Sequence, residues 1–532
     1  MLRAAICMTA HLHLADWAII GLYLLGVILL GVWFGKDQHN TRDYFLGSKN
    51  TPWWGIGLSI VAAETSALTV IGVPALAYGG NIAFIQMIIG YVIARIILAV
   101  VMVPHYLKGE IYSPYQLFSD RLGARARQTA GGFFLLSETL AAGVRVYVVS
   151  IPIQLMLGIG VVPAIVLFVV LSLIYTYVGG VKAVIWTDAL QFGLFLLGGL
   201  FALVYIPTLV EGGLPAVFKT AQAAGKLHWL NWQFSLHSPF NIWMGVIGGT
   251  VMVMSTHGAE QLIVQRVLAC KTVADGRKAL ALSAVLVFPL FLIFLLVGVM
   301  LWVFYASPEH PFKILPPEMK PGSGIAKNDF IFPIFMLTEV PPVLRGFLIV
   351  AILSAAMSSV SSALTSLASV STMDFVKGQH GRRSEVFYLR FSKYSTVFWA
   401  AVLIFTAYLS REVAFVLNAA FTLRGLTGGA LLGGLFLAVF WQRGRAVPVI
   451  TGMFSSLLFM VAVSQCAWSE GNAATGTAFH FYWPWARAPK DVVTYSVFWP
   501  WLTLIGTVVT LLVAFATDKL IGPAKPAAAQ SS

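Results

Sequence analysis

The strongest constraint on this chain is a repeated one. Thirteen stretches of about 20 or more residues are almost free of charge, and short polar segments separate them. About 20 helical residues, rising 1.5 Å each, cross a hydrocarbon layer roughly 30 Å thick. The stretches lie near 14–34, 53–78, 81–106, 128–157, 159–179, 182–208, 239–265, 278–305, 328–373, 391–410, 412–441, 446–466 and 493–517. They are too long and too uniformly apolar for the alternating strands of a barrel. Only helices then satisfy the backbone in lipid, so an all-α integral membrane protein embedded in the bilayer is expected, with about 13 transmembrane helices. A chain that is 58% hydrophobic and 10% charged is no soluble globular domain. The first stretch lacks a small-residue cleavage pattern and is expected to be retained, with nothing chemical in it.

The net charge of +13 follows from membrane topology and does not point to nucleic acid. Lys and Arg concentrate in alternate loops, 21 on one side against 9 on the other. The positive-inside rule puts the N-terminus outside and the C-terminus in the cytoplasm of a multi-pass plasma (bacterial inner) membrane protein. Cys7, Cys270 and Cys466 form no metal spacing. A Cys7–Cys466 bridge stays open, but unpaired thiols are expected. There is no nucleotide-binding motif, no His and Cys cluster and no nucleophile paired with a base, so neither an enzyme nor an obligate protein partner is indicated.

Polar residues inside the apolar stretches carry the functional signal. Between Val350 and Ser366 a span is crowded with hydroxyls, and Ala355, Ser358, Ser359 and Ser362 fall on one helical stripe. Alanine there admits a close backbone, and serine offers the hard neutral oxygen a small alkali cation prefers. The competing reading is a packing face whose hydroxyls bond back to their own carbonyls. In the second stretch Glu64 stands among Ser59, Thr65, Ser66 and Thr69. A carboxylate there is a functional-site hypothesis, and the small polar residues allow the helix to unwind and free carbonyls for a cation. Arg145 must pair with Glu138 or Glu64 or meet a solute carboxylate. Asp188, six residues past Lys182, is a cation ligand or an ion-pair partner near the inner mouth. Weak points are expected at Ser255 to Gly258 and at Thr422 to Gly429, and the outer loop 306–327 is expected to be irregular.

The second and seventh spans are the breakable ones, and they stand five helices apart. An odd number of crossings inverts direction, the arrangement expected of an inverted-repeat secondary transporter. The divisions are 1–52 for a leading helix and inner loop, 53–208 and 239–441 for two five-helix repeats, and 446–532 for two trailing helices and a tail.

Asp43 to Gly47 before Trp53 and Trp54, Ala62-Ala63 with Ser66-Ala67, Gly179-Gly180 with Trp186 to Asp188, Val264 to Arg266, and Ala355 to Asp374 resemble the sodium:solute symporter family. Its bacterial members include sodium/galactose, sodium/proline and sodium/sialic acid symporters. The resemblance covers almost the whole chain and implies a LeuT-type five-plus-five inverted repeat. It implies a main sodium site from the carbonyls of Ala62, Thr65 and Ala355 and the hydroxyls of Ser358 and Ser359. A second site would use Asp188 with Ser358, Ser361 and Ser362, giving one or two transported Na+. For the solute it implies Ser66, Thr69, Phe84, Gln86 and Arg145, and Glu64 and His257 are expected to join them as solute-binding residues, although Glu64, His257 and Glu260 depart from the family's sugar and sialic-acid members.

The expected function is therefore sodium-coupled import of a small polar solute, a sugar, sugar acid or other carboxylate. A proton-coupled carrier that titrates Glu64, a proline-like amino-acid symporter, and a channel or facilitator are the alternatives. A membrane enzyme is the remaining class.

Overall fold

The computed structural model describes residues 12–35, 40–66, 68–109, 111–314, 328–377, 383–412, 416–442, 444–469, 480–482 and 495–522. Fifteen helices position the site. They are α1 (Leu14–Gly35), α2 (Trp53–Glu64), α3 (Val73–Gly79), α4 (Ile85–Val101), α5 (Ala124–Leu157), α6 (Val161–Thr208), α7 (Thr250–Gly258), α8 (Gln261–Leu268), α9 (Val273–Ala306), α10 (Ile331–Glu339), α11 (Leu344–Val370), α12 (Glu385–Leu409), α13 (Val416–Phe440), α14 (Ala446–Gln465) and α15 (Trp499–Ile521). Among the described residues eight helices are each long and apolar enough to cross a membrane, and the bent α2–α3 pair makes a ninth. The only strands described are Ala467–Ser469 and His480–Tyr482, a short antiparallel pair between α14 and α15.

Sequence explains where the helices bend. The 48-residue α6 turns at Gly180, whose φ of 56° and ψ of −165° only glycine adopts without strain. That bend separates the expected stretches 159–179 and 182–208. After Glu64 the chain leaves the helix, with Thr65 extended at ψ 93°, and α3 restarts at an angle of 56° to α2. A second break follows α7, where Glu260 is extended at ψ 132° before α8 begins. The expected interruption at Thr422 to Gly429 is absent, because α13 runs unbroken through it. Its glycines serve packing instead: a Cβ on Gly429 would stand 2.6 Å from the backbone of Gly506 on α15.

At the centre stands α11. Of its apolar stretch 94% is buried, against 17% for α1, and it packs on α1, α2, α5, α6, α8 and α12. Its hydroxyls bond back along the helix. Ser359 donates to the Ala355 carbonyl at 3.0 Å, Ser362 to Ser358 at 2.6 Å and Thr365 to Ser361 at 2.7 Å. Hydroxyls so satisfied cost little inside hydrocarbon.

The first span does carry chemistry, contrary to expectation. Asp16, fully buried, accepts from the Val343 amide at 2.9 Å, the Gly346 amide at 3.0 Å and Arg345 Nε at 3.1 Å. It thereby holds Val343 at φ 75°, a strained value for a β-branched residue, and pins the start of α11. Cys270 and Cys466 are free thiols, while Cys7 lies outside the described residues, as does most of the 306–327 loop. Burial of Cys270, in the turn after α8, pushes its thiol up to about 12, so it stays protonated and unreactive.

Candidate functional site

Three polar groupings meet around the break after α2. The first is the break itself. The amide of Leu68 turns to Ser66 Oγ at 3.1 Å and that of Thr69 to the Ser66 carbonyl at 2.8 Å. Those amides would otherwise cap the carbonyls of Glu64 and Thr65, so the ladder is interrupted where free oxygens are wanted. Thr65 Oγ1 is buried without a partner. Ala62 and Thr65 lie on this segment, while Ala355, Ser358 and Ser359 lie on α11, which packs against α2.

The second grouping is built on Asp188. One carboxylate oxygen accepts from Ser358 at 2.6 Å. The other accepts from Ser59 at 2.6 Å and from Arg266 at 2.7 Å. Arg266 also donates to Ser59 at 2.8 Å, to the Leu262 carbonyl at 2.5 Å and to Ser362. A single carboxylate on α6 thus joins α2, α8 and α11 just below the break. Of the four residues expected at a second sodium site, Asp188, Ser358 and Ser362 meet here, and Ser361 donates to the Ser358 carbonyl at 3.0 Å. The guanidinium of Arg266 was not foreseen as a member. A sodium ion reaching Asp188 would share that carboxylate with a fixed positive charge.

The third grouping surrounds a cavity with about 50 Å³ of free space, room for roughly three or four waters. Glu64, Ser66, Thr69, Arg145 and His257, five of the expected solute residues, line it. So do Tyr91, Thr256, Phe291, Phe421 and Arg424. Phe84 and Gln86 do not. Gln86 spends its amide on the carbonyls of Ala83 at 3.1 Å and Phe240 at 3.0 Å, and its oxygen accepts from the Asn231 amide at 3.0 Å. Phe84 stacks on Phe291 with ring centroids 5.8 Å apart. Both side chains therefore brace the outer loop and the aromatic layer behind the cavity.

The cavity charges are paired within the protein. Glu64 is ion-paired with Arg95, and Arg95 contacts His257 Nε2 at 3.1 Å. Arg145 pairs with Glu138, whose other oxygen accepts from Arg424 at 2.7 Å. Arg424 also stands 3.1 Å from Glu260. The first of these chains links Glu64 at the end of α2 to His257 near the end of α7, and the second ties Glu260, at the break after α7, to Arg424 on α13. A signal for the missed members was present. Once the loop cations are set aside, the arginines inside the spans are Arg95, Arg145, Arg345 and Arg424. All four pair with an acid inside the bundle.

The sequence model described as the sodium:solute symporter family matches residues 44–456, well over half of the chain. The chain belongs to the sodium:solute symporter family. It is 30% identical to the sodium/sialic acid symporter of Proteus mirabilis over 84% of this chain and 89% of that one. It is 25% identical to the human sodium/iodide cotransporter over 84% and 69%. A solved structure of a Na+-coupled sialic acid symporter, substrate-bound and outward-open, superposes with a TM-score of 0.79 at 26% identity, covering 96% of this chain and 99% of that one. A nucleobase-cation-symport-1 transporter shares the fold at a TM-score of 0.53 and 13% identity. The symporter fold is thus the LeuT-type five-plus-five inverted repeat that the resemblance implied. As a member of this family the protein is a multi-pass membrane transporter that couples a small solute to sodium, and it is not an enzyme.

Proposed function

We propose that this symporter imports an acidic sugar of the sialic acid kind, with the sodium gradient as its driving force. The names of its relatives favour that class. The observation that carries it is a juxtaposition: guanidinium groups line a cavity at the break of α2, and the same break rests on the hydroxyl face of α11. Guanidinium suits a planar carboxylate, and the hydroxyls of Ser66 and Thr69 suit a polyol. Glu64 is ion-paired with Arg95.

Sodium would bind between the carbonyls of Ala62, Thr65 and Ala355 and the hydroxyls of Ser358 and Ser359. To do so it takes Ser359 Oγ from its bond to Ala355 and couples the interrupted helix to α11. A second ion would use Asp188 with Ser358, Ser361 and Ser362. Solute then meets an already assembled pocket, so the two affinities rise together. Each net charge moved inward contributes about 2.3 kcal/mol per 100 mV; one sodium with a monoanionic solute moves none, so the potential acts only through a second ion, which supports roughly a fifty-fold solute gradient at that potential. The repeats would span 53–208 and 239–441, flanked by 1–52 and 446–532, in a bacterial inner membrane with the N-terminus outside.

The test is uptake of N-acetylneuraminate into proteoliposomes under an imposed inward sodium gradient. Wild type should accumulate it only with sodium, and Ser359→Ala should lose that uptake while reconstituting normally. Normal sodium-driven flux in the variant sinks the ion assignment. Uptake by wild type under a proton gradient alone sinks sodium coupling.

A further inference from the structure

Two arginines line the solute cavity, and they are not equally free. Arg145 is tied on two sides: its Nε donates to the Ala141 carbonyl one turn back at 3.3 Å, and a terminal nitrogen is paired with Glu138. Its side chain is 7% exposed, against 18% for Arg424. Arg424 uses a single terminal nitrogen for both Glu138 and Glu260, and its Nε is buried with no hydrogen-bond partner. Buried donors without partners are rare and ask for an explanation. Glu260 is in the same condition, since neither of its oxygens accepts a hydrogen bond. The unsatisfied atoms of this network thus gather on the Arg424 side.

We propose that Arg424, and not Arg145, anchors the carboxylate of the transported solute. The inference rests on the reading of the solute as an acidic sugar and goes further by naming the residue that makes it acid-selective. Ala420, Phe421 and Arg424 present one face of α13 to the cavity, spaced as neighbours on a helix. The anchor therefore comes with an aromatic surface for the sugar ring. An entering carboxylate takes the idle Nε of Arg424 and displaces Glu260, which stands 3.1 Å from Arg424 without a hydrogen bond. Arg145 stays locked to Glu138 as a positioning residue that fixes where Arg424 stands. No chemistry other than exchange of hydrogen-bond partners is involved.

The experiment measures binding of N-acetylneuraminate and of its 1-methyl ester, which lacks the charge, to the purified full chain in saturating sodium. Wild type should prefer the acid. In Arg424→Gln that preference should fall about 10- to 100-fold, the worth of hydrogen bonds to a charged group, while sodium-dependent thermal stabilisation is retained. Arg424→Lys should restore part of the preference. If Arg424→Gln does not fold, the double variant Arg424→Gln/Glu260→Gln removes the anchor without stranding the Glu260 carboxylate, and the same loss is expected. An undiminished preference for the acid in either variant overturns the proposal. Wild type binding the ester as tightly as the acid, or neither, overturns the acidic-sugar reading itself and the anchor with it.

Discussion

Two clusters of buried charge occupy the bundle, and they differ in how completely they are satisfied. Around Asp188 both carboxylate oxygens and three nitrogens of Arg266 have partners on α2, α8 and α11. Around Arg424 the guanidinium Nε and both oxygens of Glu260 have no hydrogen-bond partner, and Glu260 meets Arg424 only as an ion pair at 3.1 Å. A fully satisfied network in a low-dielectric interior rigidifies its surroundings, while a buried polar group without a partner asks for one. The first therefore joins three helices beneath the break, and the second waits beside the cavity. Ser358 and Ser362 of the first cluster also belong to the expected sodium sets, so ion binding and helix coupling would share atoms there.

The largest consequence concerns Arg266. Arg266→Met leaves Asp188 buried with only hydroxyl partners, and breaking a buried pair on one side costs about 3–5 kcal/mol. Purified protein in detergent should unfold correspondingly earlier in chemical or thermal denaturation. A variant within about 0.5 kcal/mol of wild type, the range of ordinary surface changes, would mean that the Asp188 cluster is not the structural joint described here.

Much of this was legible in the chain, for identifiable reasons. Apolar length marked the chain as a helical membrane protein, since nothing but a helix can cross lipid with its backbone satisfied, and eight helices with the bent α2–α3 pair meet that length among the described residues. The glycines at 179–180 and the polar run from Ser59 to Thr69 marked where helices bend. Hydroxyl spacing marked Ser358 to Ser362. Pairing was harder to read. Asp188 meets Arg266 across 78 positions, and Asp16 meets Arg345 across 329, and no local periodicity carries such distances. Arg424 was obscured by its neighbours. Gly425, Gly428 and Gly429 suggested a broken helix, whereas they admit the close approach of α15 and of Ser255 on α7. Gln86 was misplaced for a related reason: its partners lie on the 231–240 loop, whose fold is set by tertiary contacts.

The next sharpening of the comparison uses the ion. If the Asp188 cluster admits a second sodium despite Arg266, Asp188→Asn should lower the Hill coefficient for sodium from about two towards about one, since that coefficient is bounded by the number of sites. Sodium titration of uptake in proteoliposomes reads it. An unchanged steep coefficient would assign the cluster to structure alone, with the guanidinium as its permanent cation.

The smallest effect belongs to Glu260, and it is the one that most directly tries the contrast. Glu260→Gln keeps the volume and removes a charge whose oxygens accept no hydrogen bond. Arg424 retains Glu138 at 2.7 Å, so no guanidinium is stranded. The burial cost of a carboxylate without hydrogen bonds also disappears, which offsets the lost attraction to Arg424. Unfolding should therefore shift by less than about 1 kcal/mol, well below the cost at Arg266. A loss as large as that of Arg266→Met would show Glu260 to be a tightly held member of its network, and the difference in satisfaction between the two clusters would no longer distinguish a joint from a binding site.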